Sequence, residues 1–294
     1  MDKVTVRVNA TTANIGPGFD CVGMALSLYD RLTFEKTDGG ILIEGCDEKY
    51  RNENNLAYLS YKKTMEKIGC DDSSVKITIA SEIPASRGLG SSAALIAAGA
   101  AAANAICGYP LTKEELLEIG TEIEGHPDNL APAIYGGLTV SAATENGIYT
   151  ARFKISEKFH FTALIPDFHL STEKARQVLP KEVLRADAVY NLSRTALVLK
   201  AFEEGNTEML AASMGDKLHQ PYRRRLIKGF DTAERLAFHL GATAFFISGS
   251  GPTVMAVSES EDFTKAISEQ MQFTDISSWR ALALKPDNGG IIIE

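Results

Sequence analysis

The stretch that most constrains the fold spans residues 83–108, with the sequence IPASRGLGSSAALIAAGAAAANAICG. It begins with proline, glycine and serine and then becomes almost pure alanine, the strongest helix former. One serine before a helix is explained as an N-cap, which accepts from the free N–H groups of the first turn. Two glycines beside two serines need a further reason, because glycine costs backbone entropy unless the chain requires an unusual φ or a very close approach. The stretch predicts a helix over residues 92–107, entered through a loop of special geometry.

That loop geometry suits an anion. Exposed N–H groups at a helix N-terminus, reached through a glycine loop that lets a ligand approach the main chain, form a ready cradle for phosphate. On this stretch alone, the plain N-cap and the phosphate site both remain open. The decision between them rests on the rest of the chain.

Two more segments share this composition, NATTANIGPGFD at residues 9–20 and ISGSGPT at residues 247–253. Each follows a predicted strand and consists of small residues that let main-chain N–H groups approach a ligand. One such loop is weak evidence, because glycine and proline occur in turns of every kind. Three in one chain, two of them rich in hydroxyls, favour a phosphorylated ligand.

The common nucleotide motifs do not account for these loops. No basic residue follows Gly90, so there is no G-x-x-x-x-G-K-[ST] sequence, and the H-R-D motif of protein kinases is absent. Residues 88–93 match the relaxed dinucleotide pattern G-x-G-x-x-A. However, the segment SEIPASR separates them from the preceding strand, and no second strand ending in an acidic residue follows at the required distance. These observations exclude a P-loop and disfavour a Rossmann site.

The predicted elements alternate strands and helices, which is typical of an α+β protein with two lobes. In the first half we predict strands at 3–9 and 75–80, helices at 56–68, 92–107 and 113–124, and a hairpin turning at 145–147. Thr112 and Glu115 form a capping-box pattern before the third helix. The second half predicts a strand at 161–166, a short helix within STEKARQVLP, helices at 188–204 and 229–240, and two strands flanking GSGP. We place the domain boundary near residue 160, giving an N-terminal domain of residues 1–160 and a C-terminal domain of residues 161–294.

The segment EIEGHPDN at residues 122–129 concentrates polar groups at a predicted helix end. Gly125 and the following proline are explained as a helix C-cap. That explanation leaves Glu124, His126, Asp128 and Asn129 without a role. A carboxylate at a helix end that faces serine hydroxyls of a phosphate loop would bind Mg²⁺, a hard cation that takes few protein ligands.

Two arginines in the second half are candidates to hold a carboxylate, because a guanidinium binds one through two parallel hydrogen bonds. These are Arg176 in TEKARQVLP and Arg223 in HQPYRRRL. The alternative for each is a solvated surface charge. We assign the neighbouring Arg224 and Arg225 to that surface role.

Composition excludes several classes of function. The net charge of -8, with RRR as the longest basic run, argues against a nucleic-acid partner. No apolar run reaches the length of a membrane span, and the N-terminus lacks a signal-peptide segment, so we expect a cytoplasmic protein. The four cysteines are scattered and the five histidines lack metal-ligand spacing, which predicts buried thiols in a reducing compartment and no transition-metal site.

Together, NATTANIGPGFD, IPASRGLGSSAA, EGHPDN and ISGSGPT resemble the GHMP kinase superfamily in sequence, order and spacing. The P-x-x-x-G-L-G-S-S-A-A loop identifies the superfamily with high specificity, and the resemblance covers essentially the whole chain. The first motif, EGHPDN, STEKARQVLP and QPYR look specifically like the homoserine kinase family. The resemblance implies an α+β, two-lobed fold, with an N-terminal α/β lobe that contains a left-handed crossover and a C-terminal ferredoxin-like lobe. It also implies ATP-dependent phosphorylation of the L-homoserine side-chain hydroxyl, in threonine biosynthesis, by a cytoplasmic homodimer.

The resemblance also implies where ATP and Mg²⁺ bind. The adenine would lie near Asn55, the phosphates on the second motif, and Mg²⁺ on Ser92 and Glu124. The implied nucleotide-binding residues are Asn55, Pro84, Ser86, Arg87, Gly88, Leu89, Gly90, Ser91, Ser92 and Ala93.

For the acceptor, the resemblance implies a pocket in which Asp20 binds the ammonium group while Arg176 and Arg223 bind the carboxylate. Asn129 and Asn14 would be the catalytic residues, orienting the hydroxyl towards the γ-phosphorus. Asp128 is the nearest candidate for a general base, although a dissociative transition state needs little base help. The implied substrate-binding residues are Asp20, His126, Thr172, Arg176, Arg223 and Gly251.

Two departures from the family pattern and two alternative functions complete the sequence analysis. The first motif begins NATTAN where the family commonly has P-A-[ST]-[ST]-A-N, and Ser86-Arg87 replaces a smaller pair, which changes the charge of the phosphate loop. One alternative function is a GHMP kinase for mevalonate or a sugar, which would need no ammonium site. The other is a non-catalytic nucleotide sensor, against which the retained acceptor and Mg²⁺ residues argue.

Overall fold

The computed structural model describes residues 1–70 and 74–294. In this part of the chain, a first sheet of seven strands forms the body of the N-terminal half. Its strands are β1 (Lys3–Ala13), β2 (Val22–Lys36), β3 (Ile41–Glu44), β4 (Val75–Ser81), β5 (Leu138–Thr144), β6 (Gly147–Phe153) and β11 (Ile292–Ile293). The order is β11-β1-β2-β4-β3, with β5 paired to β2 and β6 paired to β5. The final strand therefore returns the end of the chain to the first strand.

Four helices accompany the first sheet: α1 (Leu56–Ile68), α2 (Ser91–Ile106), α3 (Lys113–Glu124) and α4 (Leu130–Tyr135). Almost every residue of α2 is buried, which explains its alanine content, because larger side chains would not fit between its neighbours. Gly99 marks the closest approach, since a Cβ there would lie 2.1 Å from the Ala57 carbonyl oxygen of α1. The Ser60 hydroxyl of α1 also donates to the Ile96 carbonyl (2.7 Å), which fixes the register of the two helices.

A second sheet, with four strands among the described residues, forms the core of the C-terminal half. Its strands are β7 (His160–Ile165), β8 (Ala244–Ile247), β9 (Val254–Ser258) and β10 (Arg280–Leu284). They are antiparallel in the order β10-β7-β9-β8, which is the ferredoxin-like order. Its helices are α5 (Thr172–Gln177), α6 (Arg185–Glu204), α7 (Thr207–Ser213), α8 (Gln220–Arg223), α9 (Phe230–His239) and α10 (Phe263–Met271).

The α+β class and the two lobes are confirmed by these two sheets. Both ends of the predicted helices at 56–68 and 113–124 are confirmed, and so are the capping box of Thr112 with Glu115 and the hairpin between β5 and β6. The helix predicted at 92–107 is shifted by one residue, because Gly90 is the N-cap. The sequence analysis missed the long strand β2 and the helices α4, α7 and α10. The boundary near residue 160 remains a prediction.

The topology shows where the predicted crossover connection lies in the first sheet. Strands β3 and β4 are the parallel pair in the described sheet, and α1 lies in the connection between them. This is where a crossover can occur, and its left-handedness remains a prediction.

Within the described residues, no helix combines the length and apolar character that crossing a membrane requires.

Candidate active site

The three small-residue loops meet at one cavity of about 540 Å³ that is lined by both halves of the chain. Most residues singled out from the sequence line it, although they lie as far apart in the chain as residues 14 and 250. Those lining residues are Asn14, Asp20, Asn55, Ser86, Arg87, Gly88, Gly90, Ser91, Ser92, Glu124, His126, Asn129, Thr172, Arg176 and Arg223. The fold therefore brings the motifs together at a single site.

The N-terminus of α2 has the geometry of an anion site. Gly90 is its N-cap, with φ +72, and no side chain caps the helix. The explanation of a serine as N-cap is therefore wrong, because Ser91 already belongs to the helix. The first N–H groups of α2 carry the positive end of the helix dipole and remain available to a ligand.

The other two loops hold the phosphate loop by its carbonyl groups. The Thr11 N–H donates to the Leu89 carbonyl (3.1 Å), and the Thr253 N–H donates to the Arg87 carbonyl (3.1 Å). The Ser248 hydroxyl donates to the carbonyl of Gly88 at 2.6 Å. Since three successive carbonyls are bound from outside, the loop is fixed without using its own N–H groups.

Glycine is required at two positions of this loop for steric reasons. A Cβ at Gly88 would lie 2.3 Å from the Ser248 carbonyl oxygen, and one at Gly90 would lie 1.9 Å from Thr11 Oγ1. Both residues also have positive φ, +79 and +72, which side chains other than glycine rarely adopt. The glycines thus allow the first and third loops to support the second at close range.

Ser92 and Glu124 form the hard-oxygen pair expected for Mg²⁺. The Ser92 hydroxyl donates to Glu124 Oε2 at 2.6 Å, so the start of α2 and the end of α3 meet. Gly125 ends α3 in the left-handed conformation, with φ +90, and so the C-cap interpretation of this glycine is also confirmed. In the described residues no three His, Cys, Asp or Glu side chains are grouped to hold a metal. One carboxylate and one hydroxyl fit Mg²⁺, which keeps most of its waters.

Asp20 and Arg176 bind one another across the cavity. The guanidinium Nη1 and Nη2 atoms donate to Asp20 Oδ2 and Oδ1, each at 3.0 Å, in a two-bond fork. Asp20 and Asn14 both have positive φ, and Asn14 Oδ1 accepts from the Asp20 N–H at 2.7 Å. The other end of that amide donates to the Gly249 carbonyl at 2.9 Å. Asn14 thus positions Asp20 and joins the first loop to the third.

Arg223 is a buried cation beside this pair, only 1% exposed. Its Nε donates to the Ala175 carbonyl (3.2 Å), and its Nη1 donates to the Gly249 carbonyl (3.1 Å). Burial lowers its pKa to about 10, although the charge of Asp20 opposes this. Its Nη2 makes no hydrogen bond to the described residues, which leaves a partly desolvated charge facing the cavity. Such a group favours binding of an anion.

His126, Asp128 and Asn129 form a second polar cluster. His126 Nδ1 lies 2.5 Å from Asp128 Oδ1, which also accepts from Asn129 Nδ2 at 3.2 Å. Burial lowers the pKa of His126, but the hydrogen bond and charge of Asp128 outweigh it and raise the pKa overall. The Thr11 hydroxyl donates to Asn129 Oδ1 at 2.8 Å, which orients the amide.

Asp128 is placed to support this cluster rather than to act as a base. It is 1% exposed and does not line the cavity. Its Oδ1 is already shared by His126 and Asn129, while its Oδ2 is buried and has no hydrogen-bond partner among the residues that the structure describes. The geometry therefore favours positioning by Asp128, in line with a reaction that needs little general-base help.

Some predicted residues are not part of the cavity lining. Pro84, Leu89, Ala93 and Gly251 do not line it, and the side chains of Leu89 and Ala93 are fully buried in the core. Asn55 lines the cavity, but its side chain caps α1 by accepting from the Ala57 N–H (3.0 Å) and donates to the Tyr50 carbonyl (2.9 Å). Thr172 and Ser250 also line the cavity, and their hydroxyls lie 3.2 Å apart.

Sequence reasoning missed three residues that support the site, Thr11, Phe19 and Ser248. Arg223 lies over the Phe19 ring at 5.1 Å, and the same ring stacks on His219 at 5.3 Å. Phe19 and Thr11 belong to the first motif and Ser248 to the third, so the motifs could have indicated that these residues lie near the site. The residues that they contact lie in other segments of the chain, and no sequence pattern indicated those contacts.

Comparison with known proteins gives consistent matches over the whole chain. The model of the GHMP kinases N terminal domain matches residues 55–137, and that of the GHMP kinases C terminal domain matches residues 198–274. A homoserine kinase of Clostridium botulinum is 44% identical over 292 residues, which cover 99% of this chain and 98% of the relative. A homoserine kinase of Clostridium beijerinckii is 43% identical over 293 residues, covering 99% and 98%.

Solved structures agree with these matches. The crystal structure of homoserine kinase from Cytophaga hutchinsonii has a TM-score of 0.90 at 27% identity, covering 100% of this chain and 98% of the other. The L. major mevalonate kinase in complex with R-mevalonate has a TM-score of 0.72 at 16% identity, covering 95% of each chain. The second match shows a shared fold alone.

Proposed function

This chain belongs to the homoserine kinases of the GHMP kinase superfamily, and we propose that it transfers the γ-phosphoryl group of ATP to the side-chain hydroxyl of L-homoserine. The observation that carries the proposal is the position of a paired anion and cation, Asp20 and Arg176, in the same cavity as the α2 phosphate cradle. An α-amino acid needs both charges, whereas a sugar or mevalonate needs no partner for an ammonium group.

The nucleotide side of the site uses backbone groups. The uncapped N–H groups at the start of α2 would bind the β- and γ-phosphates, and their fixed geometry avoids a reorganisation cost during transfer. Ser92 and Glu124 would hold Mg²⁺, which when bound neutralises charge on the phosphate oxygens. Tyr50 and Asn55 line the cavity beyond the loop, where we place the adenine.

The acceptor side uses the charges of Asp20, Arg176 and Arg223. Asp20 occupies the fork of Arg176 as a substrate carboxylate would. A bound amino acid could replace this ion pair with two new ones. Its carboxylate would bind the guanidinium groups of Arg176 and Arg223, and its ammonium group would bind Asp20. When the amino acid binds, Asp20, Arg176 and Arg223 each have a partner of opposite charge, so none of these charges is buried without one.

Transfer then depends on orientation of the hydroxyl. Thr11 holds the Asn129 amide by its oxygen, the amide nitrogen donates to Asp128, and the residue lines the cavity. We assign Asn129 to orienting the acceptor hydroxyl. Asn14, for which the resemblance implied the same role, is assigned instead to holding Asp20, because its amide oxygen accepts from the Asp20 N–H and its amide nitrogen donates to Gly249. Phosphoryl transfer gains mainly from positioning and charge neutralisation, which these residues provide without a strong base.

The test is ADP release from MgATP by the purified protein with L-homoserine, L-serine, mevalonate, galactose or no acceptor. Strong stimulation by homoserine alone is the expected result. Stimulation by another acceptor would retain the phosphate site and contradict the proposed acceptor pocket. Binding of ATP without turnover on any acceptor would favour the nucleotide sensor. A parallel series of the same assays without Mg²⁺ tests whether the reaction requires this metal.

We expect Asn129→Ala to lower kcat for homoserine at least tenfold, which corresponds to roughly 1.4 kcal/mol. The amide orients the hydroxyl, so its loss reduces the fraction of bound substrate in a reactive position. Steady-state kinetics would measure the change, with Asn146→Ala in the exposed β5–β6 turn as the matched control. A kcat close to that of the unaltered protein would remove Asn129 from the chemistry.

The resemblance to the family leads us to propose the remaining context. We place the reaction in threonine biosynthesis in the cytoplasm and propose that the protein works as a homodimer. Its partners are small molecules rather than nucleic acid or membranes, in keeping with a net charge of -8. Sedimentation of the purified protein would test the dimer.

A further inference from the structure

Two of the four cysteines, Cys70 and Cys107, lie in direct contact although they are 37 residues apart in the chain. Their sulfur atoms are 3.1 Å apart, which is closer than two non-bonded sulfurs usually approach, and each side chain is partly exposed. Cys21 and Cys46 make no such contact with another described cysteine. We propose that Cys70 and Cys107 are a redox modification site at which a reversible disulfide joins α1 to α2.

The backbone at Cys70 is held by a helix C-cap. Gly69 follows α1 in the left-handed conformation, with φ +85, and its N–H donates to the Glu66 carbonyl at 3.1 Å. The Cys70 N–H donates to the Met65 carbonyl at 2.9 Å. These two bonds form a Schellman motif, which fixes the direction of the residue after the cap. Cys70 therefore keeps its place at the end of α1.

The backbone at Cys107 is fixed at the corresponding end of α2. Cys107 is the C-cap residue of that helix, and its N–H donates to the Ala103 carbonyl at 3.1 Å. The Ser60 hydroxyl bond to Ile96 and the tight contact at Gly99 hold the two helices in register. The meeting of the two thiols follows from the packing of α1 on α2 rather than from mobile side chains.

The surroundings of Cys107 affect its ionisation. Burial, together with the hydrogen bond and charge of Cys70, raises the pKa of Cys107 to about 11, against the positive charges of Lys36 and the N-terminal ammonium. Forming a mixed disulfide on Cys70 would remove the hydrogen bond and the charge that help to raise the pKa of Cys107, while burial would still raise it. The charges of Lys36 and of the N-terminal ammonium would continue to favour the Cys107 thiolate.

The chemistry balances with a small disulfide as the oxidant. The Cys70 thiolate attacks the small disulfide, forms a mixed disulfide and releases one small thiolate. The Cys107 thiolate then attacks the Cys70 sulfur, forms the protein disulfide and releases the second small thiolate. Two cysteine thiols are oxidised and one small disulfide is reduced to two thiols. Such reversible bonds are the kind that proteins in reducing compartments use.

The expected consequence is a rise in stability. A bond between residues 37 apart closes a long loop in the unfolded chain and reduces its entropy, while the folded chain already holds the sulfurs together. We expect the midpoint of thermal unfolding to rise by about 5 °C or more. The bond lies at the helix ends opposite to the phosphate loop, so this measurement does not depend on the proposed kinase activity.

The experiment treats the full-length, fully reduced protein with oxidised glutathione and then alkylates the remaining thiols. Mass spectrometry should find the loss of two hydrogen masses and a cross-link between the tryptic peptides at residues 68–76 and 88–113. Thermal unfolding should shift upwards and return to its original midpoint after treatment with dithiothreitol. Cys70→Ser and Cys107→Ser should each abolish the cross-link and the shift.

Several results would overturn the proposal. These are a mixed disulfide on Cys70 that persists, a cross-link that uses Cys21 or Cys46, or a cross-link that leaves the unfolding midpoint unchanged. If either serine variant fails to fold, Cys70→Ala and Cys107→Ala replace it. The mass and thermal-unfolding measurements on the unaltered protein test the proposal even if none of the variants folds.

Discussion

Replacing Arg223 with alanine is expected to lower kcat/KM for homoserine by about 100-fold or more while the KM for ATP changes little. The guanidinium is 1% exposed and lies over the Phe19 ring, with one nitrogen free of described partners. Its charge is already desolvated before substrate arrives, so a carboxylate gains a strong hydrogen bond without a further burial cost. Loss of that partner removes binding energy from the acceptor alone.

A matched pair of variants separates this effect from general damage. Arg225, two positions further along the chain, is exposed, and Arg225→Ala should leave both KM values unchanged. Arg223→Lys keeps a positive charge but loses the planar fork, so its kcat/KM should lie between those of alanine and arginine. Steady-state kinetics with each substrate varied in turn, after circular dichroism verifies folding, supplies the measurement. An equal loss for ATP and homoserine would contradict the assignment of Arg223 to the acceptor.

Replacing Gly88 with alanine is expected to destabilise the protein by about 3 kcal/mol and to raise the KM for ATP at least tenfold. Its positive φ of +79 costs about 1–2 kcal/mol for a residue with a Cβ. The added carbon would also lie 2.3 Å from the Ser248 carbonyl oxygen, and a contact that close costs about 1–3 kcal/mol through backbone shifts. Both effects displace the phosphate loop from the third loop.

Gly241→Ala is the matched control for this steric argument. Gly241 has a positive φ of +91, but a Cβ there would contact nothing within 4 Å. It should therefore show only the backbone cost, about 1–2 kcal/mol, with an unchanged KM for ATP. Urea unfolding and ATP kinetics measure the two quantities. Equal destabilisation by the two variants would mean that the contact between Gly88 and Ser248 contributes nothing.

The candidate site was predictable where its determinants are close together in the chain. The caps at Thr112 and Gly125 act within a few residues of their own positions, and their geometry is largely independent of the rest of the fold. The glycines before α2 and the alanines within it were visible as a pattern, but the steric reason for them lies in residues that pack against them from other segments. The placement of Ser92 opposite Glu124 came from the family resemblance, and the 2.6 Å hydrogen bond between them agrees with it.

The long strand β2 shows why other parts of the fold were missed. Its residues Val22–Lys36 pair with β1, which comes directly before it in the chain, and with β4 and β5, which lie further along, so three other strands set its register. The alternation of polar and apolar residues along it is therefore irregular. The local sequence contains little information about such a strand, because elements elsewhere in the chain determine which of its side chains are buried and which strands it pairs with.

The sequence by itself determined the superfamily motifs, the helix caps and the glycine-rich entry to α2, because φ preferences and capping hydrogen bonds operate over short distances. Only the tertiary structure decided that Asp20 occupies the fork of Arg176, across 156 residues of chain. It also decided that Asn14 joins two loops and that Cys70 meets Cys107. Those contacts depend on how helices and sheets pack, and packing is a property of the whole chain that no single segment encodes.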